Sequence, residues 1–275
     1  MERMFKNGEL FVFDLDGTLY EGTNHFDYYA NRLLIDVPEE NKQAFLDDYE
    51  KMKVGDHLVK IGKAYDVKRD TILTLDPLTL RVVKVEKWDG EVWSDENREE
   101  LYSEKLSFDF EHMIAIGDGW WLPFAAAKHY GVGNCYPRYV ETKEYMVTEA
   151  FKLEPIPGVK EGLATLKENK KMVLVTNSDI DDVGRLLKEL QLDEIFEHMV
   201  TSAKKPSKTD EIFEKLVEQY EVKPEQVVSI GDNFINEIAP ALQKNMKAIY
   251  IDPLKPEFKH ENLVIVSSLG DCFQI

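Results

Sequence analysis

The most informative segment of the chain is Leu10-Phe11-Val12-Phe13-Asp14-Leu15-Asp16-Gly17-Thr18. Its first four residues form a continuous apolar run, which is typical of a strand buried on both faces of a parallel sheet. The run ends in two carboxylates and a glycine, which indicates a polar loop at the carboxyl end of that strand. Because α/β proteins place their ligand sites at this end of the strands, we expect Asp14 and Asp16 to lie at a functional site.

Apolar runs of the same kind recur in the second half of the chain. They cover residues 172–175, 227–230, 248–251 and 263–266, and each leads into polar residues. Helical patterns separate them, over residues 159–168, 180–190, 209–220 and 235–244. Strands that alternate with helices of this length predict an α/β fold, with a Rossmann-like parallel sheet covered by helices on both faces.

Residues 21–151 do not follow this alternation, and the gap they fill is too long for a simple crossover between two strands. We therefore predict a discontinuous core of residues 1–20 and 152–275, with residues 21–151 forming an inserted cap domain. The insertion is predicted to be mainly helical with one β-hairpin, because Asp89-Gly90 between alternating apolar runs is a strong hairpin signal. A chain of 275 residues agrees with two domains of about 150 residues each.

The charge of the chain excludes several classes of partner. It carries 52 Asp+Glu against 34 Lys+Arg, a formal net charge of −18. A nucleic-acid polymer binds through neutralised phosphates, and an anionic membrane surface needs the same basic residues, so neither is an expected partner. With two cysteines, Cys135 and Cys272, and no apolar run near the roughly 18 residues of a membrane span, we expect a soluble, cytoplasmic protein.

Asp14 and Asp16 could have two different roles in phosphoryl transfer. One carboxylate can attack a phosphorus atom while the other exchanges a proton with the leaving group. The alternative is structural, since Asp-x-Asp-Gly also occurs in turns and in calcium loops. A calcium loop needs further acids at regular spacing and a Glu near its twelfth position, and none follows here.

Residues 13–20 resemble the first motif of the haloacid dehalogenase (HAD) superfamily of phosphohydrolases. The other three family motifs are matched in the same order. Thr176 ends an apolar run, Lys205 precedes a proline, and Gly231-Asp232 follows another apolar run with Glu237 five residues beyond the aspartate. The family usually has Asp in place of Glu237, but Glu can also ligate Mg²⁺ directly or through water.

The resemblance covers roughly residues 8–20 and 152–266, and it implies roles for seven side chains in this sequence. Asp14 is the expected nucleophile that forms an aspartyl-phosphate, and Asp16 the expected general acid and then base. Asp14, Asp232 and Glu237 are expected to hold Mg²⁺ together with the backbone carbonyl of Asp16. Thr176 and Asn177 are expected to bind phosphate oxygens, and Lys205 to stabilise the transferring phosphoryl group.

The function implied by the resemblance is a Mg²⁺-dependent phosphatase that acts on a small phosphorylated metabolite. The insertion resembles the type of HAD cap that closes over the active site and sets specificity. Two alternatives stay open. A phosphomutase of the same superfamily would return the phosphoryl group to a bound sugar, and a non-catalytic binding or regulatory module could use the same fold.

Overall fold

The computed structural model describes residues 1–148, 150–253 and 258–274. The strands are β1 (Leu10–Phe13), β2 (Ala64–Asp66), β3 (Thr71–Leu75), β4 (Val82–Lys87), β5 (Met113–Ala115), β6 (Lys171–Val175), β7 (His198–Val200), β8 (Val227–Gly231), β9 (Lys247–Ile251) and β10 (Leu263–Val266). The α-helices are α1 (Glu2–Asn7), α2 (Asn24–Leu33), α3 (Lys42–Lys53), α4 (Asp95–Tyr102), α5 (Trp121–His129), α6 (Tyr136–Met146), α7 (Val159–Lys167), α8 (Ile180–Glu189), α9 (Thr209–Tyr220) and α10 (Ala239–Gln243).

The chain divides into two compact units. The first, called the core unit below, comprises Met1–Glu21 and Leu153–Ile275. The second, called the insert unit, comprises Gly22–Lys152. Within the described residues, no helix of either unit combines the length and the hydropathy that crossing a membrane requires.

The core unit is built on a parallel sheet with the strand order β10-β9-β8-β1-β6-β7. Strand β1 lies between β6 and β8, with Phe13 level with Leu174 on one side and Ile230 on the other. The order of the strands reverses at β1, and in open α/β sheets a ligand crevice forms at such a point. The predicted parallel sheet is therefore confirmed, and the loops after β1, β6 and β8 meet at one edge of it.

The apolar runs in the sequence have a physical explanation in this sheet. Every residue of β1 and of β8 is buried. Each buried Leu, Ile or Phe side chain contributes about 1.5–3 kcal/mol by leaving water, which favours continuous apolar strands over alternating ones. Strand β7 was not expected, because its three residues are partly or fully exposed and form no apolar run.

The insert unit contains more strand than the single hairpin predicted from the sequence. Its antiparallel sheet has the order β4-β3-β2-β5 among the described residues. The turn at Gly90, with φ +91°, is present, but the residues after it form only an isolated bridge between Glu86 and Val92. The main partner of β4 is β3, which lacks the alternating pattern because four of its five residues are buried.

Candidate active site

Three carboxylates from two loops of the core unit come together at the carboxyl ends of the central strands. Asp14 follows β1, while Asp232 and Glu237 follow β8. Each of the three offers an oxygen, and these atoms lie within 4.8 Å of one another. Asp14 and Glu237 are buried and Asp232 is partly exposed, so the group has one side open to solvent.

Two glycines allow this close approach. Gly17 has φ +72°, and a Cβ at this position would overlap the carboxylate of Asp232. A Cβ at Gly231 would overlap the side chain of Glu237. The glycines of the two motifs are therefore explained by the space that the neighbouring carboxylates occupy.

Glu237 is held by an irregular helical turn. A regular helix was predicted from residue 235, but Phe234–Ile238 form a π-helix that leads into α10. Pro240 has no N–H to donate to the carbonyl four residues earlier, and that carbonyl instead accepts the Thr209 hydroxyl at 2.7 Å. The backbone N–H of Asn233 donates to Glu237 Oε1 at 2.9 Å, which orients the carboxylate toward Asp14.

Lys205 supplies the positive charge of this group. Its Nζ donates to Asp14 Oδ1 at 2.8 Å and to Glu237 Oε2 at 3.0 Å, and the residue is 2% exposed. Burial opposes the ammonium form, but the charges of Asp14 and Glu237 outweigh it and raise the pKa of Lys205. Burial also raises the pKa of Asp14, and it raises that of Glu237 to about 8, although Lys205 opposes both changes.

The donor set fits a magnesium ion. Lys205 pairs with Asp14 and Glu237. When Asp14, Asp232 and Glu237 are all ionised, the group of three carboxylates and Lys205 has a formal excess of two negative charges. Carboxylate oxygens are the ligands that Mg²⁺ prefers, and one divalent cation offsets that excess. The carboxylate of Asp16 is not one of the three described groups.

The carboxylate of Asp16 has other partners. Its Oδ1 accepts the Tyr20 hydroxyl at 2.5 Å, and its Oδ2 accepts the Ser178 hydroxyl at 2.9 Å. Neither donor was predicted from the sequence. Tyr20 is the last residue of the first motif, and Ser178 lies two residues after Thr176. No spacing rule links these hydroxyls to Asp16, because the contact depends on how two loops fold back.

Thr176 and Asn177 lie between β6 and α8. Thr176 is buried, and its Oγ1 accepts the backbone N–H of Ser178 at 3.1 Å. The Asn177 side chain is engaged at both ends with the backbone of Lys205, since Oδ1 accepts the N–H at 2.7 Å and Nδ2 donates to the carbonyl at 3.0 Å. The side-chain amide of Asn177 thus fixes the backbone of Lys205 in place.

Asn177→Ala is expected to lower the free energy of unfolding by about 1–2 kcal/mol, because the backbone groups of buried Lys205 lose their partners. Urea unfolding of the metal-free protein measures this change. Asn31→Ala is the control, since Asn31 makes one exposed hydrogen bond within α2 and its loss is expected to change stability by less than about 0.5 kcal/mol. Equal unfolding midpoints for Asn177→Ala and wild type would contradict the assigned role.

Comparisons with known proteins agree with this architecture. The sequence model of haloacid dehalogenase-like hydrolases matches residues 9–243. Glyceraldehyde 3-phosphate phosphatase of Pyrococcus furiosus is 30% identical over 142 residues, a match that covers 48% of this chain and 58% of that protein. The chain therefore matches less than two thirds of the length of this relative.

Two solved structures share the fold at low sequence identity. A HAD hydrolase of Bacillus subtilis, solved bound to magnesium, has a TM-score of 0.53 and 14% identity, with 97% of each chain covered. A haloacid dehalogenase-like hydrolase of Xanthomonas campestris has a TM-score of 0.51 and 15% identity, with 96% of this chain and 88% of that chain covered. At these identities the likeness shows the fold alone.

Proposed function

The chain belongs to the haloacid dehalogenase-like hydrolases, and we propose that it is a Mg²⁺-dependent phosphatase of small phosphate monoesters. The observation that carries the proposal is the ion-pair group in which buried Lys205 bridges Asp14 and Glu237, with Asp232 beside them. Asp16 lies two residues from Asp14 with its carboxylate held separately by two hydroxyl donors. In the proposal, Asp14 is the nucleophile, Asp16 is the proton-transfer group and Lys205 is the positively charged side chain.

In the proposed reaction, an oxygen of Asp14 attacks the phosphorus atom of the bound monoester. The bond from phosphorus to the leaving oxygen breaks, and Asp16 gives its proton to that oxygen. The phosphoryl group is then carried by Asp14. Asp16, now a carboxylate, takes a proton from a water molecule that attacks the phosphorus, which releases inorganic phosphate and restores Asp14.

Asp14, Asp232 and Glu237 would hold Mg²⁺, which would offset the repulsion between their carboxylates and an anionic phosphate. Lys205 restrains Asp14 through Oδ1 and adds a positive charge beside the transferring group. Thr176 and the backbone N–H of Asn177, in the loop between β6 and α8, are the proposed phosphate-binding groups.

The substrate class is proposed from the relative and from the charge of the site. Pyrococcus furiosus glyceraldehyde 3-phosphate phosphatase makes a triose phosphate the first compound to try. Sugar phosphates, a phosphoglycolate-like acid and a nucleoside monophosphate complete the panel, because they present the same phosphate on different carbon skeletons. The insert unit is the proposed cap domain, on the ground that it lies between the first two motifs.

Removal of the metal is expected to lower phosphate release on the order of 100-fold or more, because an anionic substrate then meets uncompensated carboxylates. The measurement is phosphate release from each monoester with Mg²⁺, with EDTA, and with EDTA followed by excess Mg²⁺. Recovery in the third sample is the control against damage by EDTA. Absence of phosphate release from every monoester would contradict the proposal, and isomerised sugar phosphate without free phosphate would indicate a phosphomutase.

A further inference from the structure

We propose that Tyr20 is a positioning residue for the proton-transfer carboxylate, Asp16. The Tyr20 hydroxyl donates to Asp16 Oδ1 at 2.5 Å, while the Ser178 hydroxyl donates to the opposite oxygen at 2.9 Å. Donors on both oxygens fix the plane of the carboxylate as well as its position. The inference rests on the proposed phosphatase function, since it assigns a role to Tyr20 only if Asp16 transfers a proton.

The short chain between the two residues builds this contact. After β1 the backbone folds back on itself, with the N–H groups of Thr18 and Leu19 both donating to the carbonyl of Leu15. This turn places residue 20 beside residue 16. The backbone of Tyr20 also forms an antiparallel bridge with Pro155, and the side chain is 0% exposed. The phenol is therefore held from both ends and presents its hydroxyl in one direction.

Tyr20 stays a hydrogen-bond donor over the working pH range of an enzyme. Burial, together with the charge of Asp16, raises the pKa of Tyr20 well above its ordinary value. A protonated phenol has one O–H to donate, and Tyr20 donates it to Asp16.

The two hydroxyls matter most when Asp16 gives up its proton. As the proton moves to the leaving oxygen, negative charge develops on both oxygens of Asp16. Pre-oriented donors stabilise developing charge without having to reorganise during the reaction. The two hydroxyls therefore increase the rate strongly only when the leaving group must be protonated as it departs. An alkoxide leaving group needs this proton, whereas a nitrophenolate does not.

A purely structural role is the competing explanation, and the chain contains a matched control for it. In the insert unit the Tyr65 hydroxyl donates to Asp70 at 2.6 Å, and Tyr65 is 1% exposed. Tyr65→Phe removes the same kind of hydrogen bond from a buried tyrosine to an aspartate, but in the insert unit. Any general effect of losing such a bond on stability or on solubility is therefore present in both variants.

The experiment compares Tyr20→Phe, Tyr65→Phe and wild type in Mg²⁺, using p-nitrophenyl phosphate and the best alkyl phosphate of the panel. For Tyr20→Phe we expect kcat on the alkyl phosphate to fall about 10- to 100-fold, with less than about a threefold loss on the aryl phosphate. KM is expected to change little for either substrate. Tyr65→Phe is expected to match wild type on both.

Equal loss on the two substrates, or a change confined to KM, would overturn the assignment of Tyr20. If Tyr20→Phe does not fold, Ser178→Ala removes the donor on the opposite oxygen and must show the same dependence on the leaving group. A uniform loss in Ser178→Ala would then overturn the inference. Wild type that releases phosphate from neither substrate would instead refute the proposed function, and the inference with it.

Discussion

Asp14→Asn is expected to abolish turnover, with kcat reduced on the order of 10⁴-fold or more, because the amide offers no nucleophilic oxygen. The substitution also removes one of the three clustered carboxylates and one of the two ion-pair partners of Lys205. Phosphate release at saturating substrate and Mg²⁺ measures the loss. Excess Mg²⁺ is not expected to restore activity, since the missing group is the nucleophile as well as a ligand.

The control for Asp14→Asn is Asp66→Asn in the insert unit. Asp66 is 2% exposed, pairs with Arg69 at 2.8 Å and accepts the backbone N–H of Lys68 at 2.9 Å. Neutralising it tests what the loss of a buried carboxylate does to folding alone. We expect Asp66→Asn to lose stability but to keep wild-type kcat per folded molecule. Retention of a substantial part of wild-type activity in Asp14→Asn would contradict the proposed mechanism.

Of the proposed substitutions, Lys205→Met is expected to lower the stability of the protein most. In EDTA the free energy of unfolding should fall by about 3–5 kcal/mol, because Asp14 and Glu237 are left as buried carboxylates without a partner. Mg²⁺ is expected to raise the unfolding temperature of the variant more than that of wild type, since binding to the native state then relieves a larger repulsion. Thermal and urea unfolding with EDTA and with Mg²⁺ measure both effects.

Lys205→Met is also expected to reduce kcat on the order of 10²- to 10³-fold, because it removes a preorganised charge beside the transferring group. Lys204→Met is the matched control. Lys204 is adjacent in sequence and exposed, so its loss should change neither stability nor kcat appreciably. Identical unfolding curves for Lys205→Met and wild type in EDTA would be incompatible with the described ion-pair group.

The parallel sheet was predictable because strands buried on both faces appear in the sequence as continuous apolar runs. The continuous apolar runs identify β1, β6, β8, β9 and β10 to within one residue at each end. Strands β2, β3 and β5 of the insert unit could not be recognised in this way. Strands β2 and β5 have three residues each, and β3 does not alternate between apolar and polar residues. Strand pairing there depends on contacts between segments distant in sequence, which local patterns do not record.

The meeting of Asp14 with Asp232 was predictable, because residues that follow neighbouring parallel strands share one edge of the sheet. The structure brings these two and Glu237 together, while their catalytic roles stay predictions. The hydroxyl contacts of Asp16 and the amide contact between Asn177 and Lys205 could not be predicted. They depend on the path of short loops, where a change of one backbone angle redirects a side chain.

The covalent role of Asp14 is tested most directly by trapping the phosphorylated enzyme. Wild type is quenched with acid during turnover of an accepted monoester, and the acyl phosphate is reduced with borohydride before peptide mapping by mass spectrometry. The mechanism predicts homoserine in place of aspartate at position 14, and no such change without substrate. Turnover with an unmodified Asp14, or with the phosphoryl group trapped on a different residue, would contradict it.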